Sequence, residues 1–111
     1  MLVVLRGGEV LLEKRAPTGI WGGLWSLPEA AADAAPAEFL AREWGLFAAE
    51  TRALEPFEHA FTHFTLEVAP WRITLARGGT LAEGKGATWL ALSDVPGAAL
   101  PSPVKKLLRT L

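Results

Sequence analysis

Residues 14–29, KRAPTGIWGGLWSLPE, form the segment around which the rest of this sequence is interpreted, and we call it the tryptophan loop. It cannot be a regular helix, because Gly19, Gly22 and Gly23 favour irregular backbone and two prolines block helix continuation. Its two tryptophans, two leucines and one isoleucine are too apolar for a solvated linker. Such a loop packs either over a core or beside a ligand, and both interpretations stay open on these residues alone.

The composition indicates one small domain. The chain has 111 residues, half of them hydrophobic, and no cysteine, so disulfides and thiolate metal sites are excluded. No apolar run approaches the roughly 20 residues of a membrane span, and no basic signal peptide precedes the strand-like LVVLR. We therefore expect a chain cut from a larger protein, without a membrane segment. The net charge of −1 argues against a free-standing DNA binder, which is usually basic.

The first half of the chain predicts a hairpin followed by a helix. Leu2–Arg6 and Glu9–Lys14 flank Gly7-Gly8, a dipeptide that tolerates positive φ. Residues 30–35 are a weak, alanine-rich connection. A helix is predicted from Pro36 to about Trp44, with Gly45 ending it. Its apolar face is predicted to comprise Phe39, Leu40, Trp44 and Phe47.

The second half predicts strands and a terminal helix. From Thr51 the pattern is extended, with a turn at Gly78-Gly79, a polar loop over 80–86, a last strand over 88–92 and a loop over 96–101. The alternating apolar and aromatic positions are Phe57, His59, Phe61, Phe64, Leu66, Val68, Trp71, Ile73 and Leu75. This order of elements predicts an α+β fold in which helices sandwich a mixed sheet.

The terminal helix has the clearest local pattern. Ser102 is predicted as its N-cap and Pro103 as its first residue. The buried stripe is predicted to be Val104, Leu107, Leu108 and Leu111. The basic residues on the opposite side, Lys105, Lys106 and Arg109, are either a solvated face or phosphate contacts.

The hairpin, glycine-rich loop and helix ending in Arg42-Glu43-Trp44-Gly45-Leu46 resemble the Nudix fold. The family's box, G-x5-E-x7-R-E-U-x-E-E-x-G-U (U is a bulky apolar residue), presents carboxylates that hold Mg²⁺ on a diphosphate. Phe39 and Arg42 replace two of its helix glutamates, and Glu38 replaces its arginine. Gly23 and Glu29 match its first positions only one residue out of step. The resemblance thus implies a retained fold with a lost hydrolase site and no metal.

Four segments are similar to the C-terminal domain of the A/G-specific adenine DNA glycosylases, the MutY family. The first is VLLEKRAPTGIWGGLWSLPE, residues 10–29. His59-Ala60-Phe61-Thr62-His63 resembles the family's His-x-Phe-Ser-His segment. Trp89-Leu90 and LPSPVKKLL, residues 100–108, resemble its tryptophan strand and terminal helix.

This resemblance implies a recognition domain of a DNA repair enzyme. Residues 1–111 would be a single Nudix-like domain that recognises 8-oxoguanine opposite adenine in double-stranded DNA. An absent N-terminal catalytic domain, carrying an iron–sulfur cluster, would cleave the adenine by hydrolysis of its N-glycosidic bond. This chain would have no catalytic residue and no cofactor of its own, and would work in a bacterial cytoplasm.

The resemblance implies that Phe61, Thr62 and His63 bind the DNA and its 8-oxoguanine. A hydroxyl such as that of Thr62 both donates and accepts hydrogen bonds, which suits the donor and acceptor that oxidation creates on guanine. Phe61 would pack on the base or backbone, or fill core. His63 would contact a phosphate or the loop backbone.

Two alternatives remain at this point. One is an active Nudix hydrolase of oxidised or ordinary nucleoside di- or triphosphates, which would need the carboxylates that Phe39 and Arg42 replace. The other is a stand-alone Nudix-like module that binds a nucleotide or a protein.

Overall fold

A computed structural model describes residues 1–31, 33–76 and 86–111. Its elements, in chain order, are β1 (Leu2–Arg6), β2 (Glu9–Lys14), β3 (Trp25–Ser26), α1 (Pro36–Trp44), β4 (Ala48–Ala53), β5 (Phe57–Ala60), β6 (Thr65–Val68), β7 (Trp71–Leu75), β8 (Ala87–Ala91), a 3₁₀ helix (Leu92–Gly97) and α2 (Ser102–Arg109). The predicted α+β class is confirmed.

The main sheet is mixed and has the strand order β3-β2-β1-β7-β4, with β8 also paired to β2. β1 runs antiparallel to β2 and parallel to β7. β5 and β6 form a separate antiparallel hairpin. The alternation in the sequence predicted strands here but not their division into two sheets.

The core lies on both faces of the main sheet, because successive side chains of a strand point to opposite faces. On the α1 side the buried cluster comprises Leu2, Val4, Leu11, Leu40, Trp44, Leu46 and Ile73. On the α2 side it comprises Met1, Val3, Leu5, Val10, Leu12, Leu27, Val68, Val95, Leu100, Val104, Leu107 and Leu108. β1 and β2 are thus covered on both faces, which explains their nearly continuous apolar sequence.

Three predictions at the helix ends were wrong. Phe47 is 62% exposed, because Gly45 takes a left-handed conformation (φ 64°) and ends the helix before the apolar face reaches it. Ser102 is the first residue of α2; the N-cap is Pro101, and no side chain caps the helix. Leu111 lies beyond the last turn of α2 and is 37% exposed.

Several strand boundaries also differ. β4 begins at Ala48, and the last strand is Ala87–Ala91 rather than 88–92. Leu92 opens the 3₁₀ helix, which takes in part of the predicted 96–101 loop. The short strand β3 lies inside the tryptophan loop and was not predicted. The predicted turn at Gly78-Gly79 and the loop from 80 to 85 lie outside the described residues.

In the part of the chain that the structure describes, no helix is both long enough and apolar enough to cross a membrane.

Candidate nucleic-acid interface

The tryptophan loop is held closed by its own backbone. The Arg15 N–H donates to the Leu24 carbonyl at 2.9 Å, and the Gly23 N–H donates to that of Ala16 at 3.0 Å. Gly22 packs so tightly that a Cβ there would lie 2.5 Å from the Pro17 carbonyl oxygen. Only glycine fits at that position, which explains this part of the motif.

The loop covers the core and also reaches the β5–β6 hairpin. Leu27 is buried in the α2-side cluster, and Trp21 and Trp25 are half-buried against it. Trp21 takes a left-handed conformation (φ 54°), unusual for a bulky residue. Its ring lies 6.1 Å from the ring of His59 and 5.7 Å from that of Phe61, between centroids. The two motifs that the sequence singled out therefore meet, although about 40 residues separate them.

The predicted site residues lie in the turn between β5 and β6. The Phe61 N–H donates to the Phe64 carbonyl at 2.7 Å, which closes a turn over residues 61–64. Thr62 and His63 are exposed within this turn, and Phe61 is half-buried. The structure thus keeps all three in one turn and presents Thr62 and His63 to solvent.

The rings of Trp21, His59, Phe61 and Phe64 form an aromatic cluster. The sequence did not identify Phe64 as a member of it. Its ring stacks on that of Phe61, with 4.6 Å between centroids and 21° between planes, and 47% of the residue is exposed. His59 meets Phe61 edge-on at 4.8 Å. The sequence placed Phe64 in an alternating strand pattern, but β6 begins only at Thr65, and Phe64 lies at the surface at the end of the turn. The sequence feature that could have identified Phe64 is its position directly after Phe61-Thr62-His63.

The turn combines two kinds of contact that suit a nucleobase. The Thr62 hydroxyl is exposed and can both donate and accept a hydrogen bond. The partly exposed Phe61–Phe64 pair offers an aromatic surface, and base stacking on aromatic side chains is a common source of nucleic-acid affinity. Such an arrangement can bind a base through stacking and one hydrogen bond.

Three carboxylates lie on the opposite side of the sheet, near α1. Glu13, Glu29 and Glu43 line a cavity of about 270 Å³ together with Phe39 and Trp44. Glu29 lies 3.4 Å from the Met1 amino group, and Glu43 lies 3.2 Å from the Arg42 guanidinium. Within residues 1–31, 33–76 and 86–111, no group of three acidic, histidine or cysteine side chains is arranged to hold a metal ion.

Comparison with known proteins gives two kinds of relatives. A family model described as the NUDIX domain matches residues 1–110. The adenine DNA glycosylase of Buchnera aphidicola subsp. Schizaphis graminum is 25% identical over 108 residues, 96% of this chain. The chain spans only 31% of the length of that relative.

The solved structures similar to this chain also include both a glycosylase domain and a Nudix hydrolase. The C-terminal domain of mouse MUTYH, solved in complex with human PCNA, is 26% identical with a TM-score of 0.65, over 97% of this chain and 81% of that one. The MutT Nudix hydrolase of Burkholderia pseudomallei is 19% identical with a TM-score of 0.69, over 99% and 93% of the two chains. At this identity the hydrolase shares the fold alone.

Proposed function

Because this chain belongs to the Nudix family and is related to the C-terminal domain of adenine DNA glycosylases, we propose that it recognises 8-oxoguanine opposite adenine for such an enzyme. The observation that carries this proposal is the turn over residues 61–64. It presents the Thr62 hydroxyl to solvent beside the stacked rings of Phe61 and Phe64.

The chemistry of the damaged base explains why a hydroxyl is suited to this task. Oxidation at C8 converts guanine N7 from an acceptor into an N–H donor and adds O8 as an acceptor. The Thr62 oxygen accepts from N7–H, and its proton is available to O8 or to the backbone. When the Thr62 proton is engaged by the backbone, only its oxygen faces N7. Undamaged guanine, whose N7 is an acceptor, then lacks a partner for that oxygen, and the two bases are distinguished.

In this proposal, recognition of the damaged strand and cleavage of the adenine are divided between two domains. Residues 61–64 bind the base opposite the adenine, and a separate N-terminal domain with an iron–sulfur cluster cleaves the adenine. Residues 1–111 are the recognition module of that enzyme, acting on double-stranded DNA in the bacterial cytoplasm. The 31% share of the glycosylase relative's length supports this arrangement.

Replacing Thr62 tests the proposal. In a full-length enzyme, with this chain joined to its glycosylase domain, Thr62→Ala leaves the base N7–H without its protein partner. An unmade buried hydrogen bond costs roughly 1–3 kcal/mol. The preference for 8-oxoguanine:adenine over guanine:adenine should therefore fall about tenfold or more. Single-turnover rates and dissociation constants on the two mismatches measure this preference.

Two control variants separate the hydroxyl from general disturbance of the hairpin. Thr62→Ser keeps the hydroxyl and should retain most of the preference. Thr65→Ala removes the same atoms from an exposed position on β6, next to the turn, and should leave the preference unchanged. If Thr62→Ala discriminates as well as wild type, damage is recognised elsewhere and the site assignment is wrong.

A second candidate function is metal-dependent hydrolysis of a nucleoside di- or triphosphate. The observation in its favour is the cavity that Glu13, Glu29 and Glu43 line near α1. Turnover of 8-oxo-dGTP that requires Mg²⁺ or Mn²⁺, stops with chelator and disappears in Glu43→Gln would favour this candidate over the recognition domain.

A further inference from the structure

Two arginines stand directly opposite each other in the β4–β7 pair. Arg52 is the register partner of Arg72 in this antiparallel ladder. Like charges in such a position destabilise a sheet. Across residues 1–31, 33–76 and 86–111, neither guanidinium has an ion pair. The two charges therefore repel each other in the protein alone.

Both side chains face the α2 side of the main sheet. Ile73 is buried in the α1-side cluster, so its neighbour Arg72 points to the other face. Arg52 is exposed and Arg72 is half-buried. The pair is accessible, yet one member is partly shielded from water, which strengthens its interaction with an anion.

The pair opens into a cavity whose lining carries excess positive charge. The cavity has a volume of about 650 Å³ and lies between α2 and the β4–β5 region. Its cationic residues are Arg52, Arg72, Lys106 and Arg109, and its carboxylates, among the described residues, are Glu55 and Glu58. The lining has four cations and two carboxylates, and Glu50 shares a neighbouring cavity with Arg52 and Arg72. The surface is locally basic on a chain whose net charge is −1.

This basic surface reaches the turn that carries Thr62. His59 lines the cavity, and its ring also lies 4.8 Å from the ring of Phe61. The base-binding turn and the basic cavity are therefore joined through one side chain. A polymer that places a base at residues 61–64 can extend its backbone toward Arg52 and Arg72.

We propose that Arg52 and Arg72, with Lys106 and Arg109, bind phosphate groups of the DNA backbone flanking the damaged base. This inference rests on the proposed function and adds a surface that holds DNA whatever its sequence. The arginine fork matches phosphate oxygens with paired hydrogen bonds. A bound phosphate also reduces the repulsion between the two guanidinium groups.

The salt dependence of DNA binding tests this surface directly. The 111-residue chain is titrated with a fluorescent, undamaged duplex at several low ionic strengths, for wild type, Arg52→Gln and Arg72→Gln. Each arginine that neutralises a phosphate contributes about 0.9 to the slope of log K against log salt. We expect each variant to lower the magnitude of that slope by about 1.

Arg42→Gln is the matched control. It makes the same change in charge at an exposed residue of α1, on the other side of the sheet, and should keep the wild-type slope. If Arg52→Gln and Arg72→Gln give the slope of this control, the proposed surface is wrong. ATP binding is measured for the same two variants. If both keep the wild-type salt dependence of DNA binding but lose ATP binding, the proposal is also wrong and the cavity is assigned to a free nucleotide.

Thermal unfolding tests whether the two arginines stabilise the fold rather than bind phosphate. Because the two guanidinium groups repel each other, removing one should leave the Tm unchanged or raise it. A fall in Tm in both variants would show that the pair is structural and would contradict the proposal. The duplex carries no damage, so lowered slopes support the phosphate surface even if the Thr62 variants disprove 8-oxoguanine recognition.

Discussion

At the scale of single residues, the stripe of α2 shows how burial changes along one helix face. Val104 and Leu107 are buried in the α2-side cluster, with 0% and 9% of their surface exposed. Leu111 continues the same spacing but is 37% exposed. The periodicity identified the face correctly, and the end of the helix limited how far that face extends.

Leu107→Ala should lower the free energy of unfolding by roughly 2–5 kcal/mol, because it removes buried methyl groups and leaves a cavity in the core. Leu111→Ala makes the same chemical change outside the core and should stay within about 0.5 kcal/mol of wild type. Chemical denaturation of both variants measures the difference. A loss below about 0.5 kcal/mol in Leu107→Ala would show that α2 is not docked on the sheet.

At the scale of elements, the tryptophan loop connects the core with the candidate interface. Its backbone hydrogen bonds close it between Arg15 and Leu24. Its packing buries Leu27 and places Trp21 against His59 and Phe61. The position of the 61–64 turn therefore depends on the shape of the loop.

Gly22→Ala should disturb this element, since the new Cβ would lie 2.5 Å from a backbone oxygen that has little freedom to move. We expect a loss of stability within the common range for point mutations, roughly 0.5–3 kcal/mol, and a change in tryptophan fluorescence. Gly8→Ala is the control, because a Cβ at Gly8 meets nothing within 4 Å. Equal stability and equal fluorescence in the two variants would contradict the tight packing at Gly22.

At the scale of the whole molecule, charge decides how the domain can meet DNA. The net charge is −1, and the excess of positive charge that we describe is confined to one cavity. Phosphate neutralisation supplies most sequence-independent affinity for DNA. One small basic surface therefore contributes little sequence-independent affinity for DNA.

The isolated chain should therefore bind duplex DNA only weakly at physiological salt and measurably at low ionic strength. Fluorescence anisotropy across salt concentrations tests this expectation, with a full-length glycosylase as the comparison. Sub-micromolar binding at physiological salt without sequence preference would contradict it and would favour a stand-alone DNA-binding role.

Local features of this protein follow from its amino-acid sequence. Proline and glycine set the limits of α1 to the residue, because they act on their own backbone. The apolar runs around Gly7-Gly8 predicted the β1–β2 hairpin, which the structure confirms. The motifs at residues 10–29 and 59–63 also indicated a Nudix domain related to the adenine DNA glycosylases.

Contacts between residues that are distant in the sequence depend on the tertiary fold. The contact between Trp21 and Phe61, the opposition of Arg52 and Arg72 and the exposure of Phe64 depend on strand register and on where one turn begins. Hydrophobic periodicity shows which face of a strand is buried, but not which strand lies beside it. The pairing of strands is fixed by packing over the whole core, so the aromatic cluster and the basic cavity had no signature in any single segment.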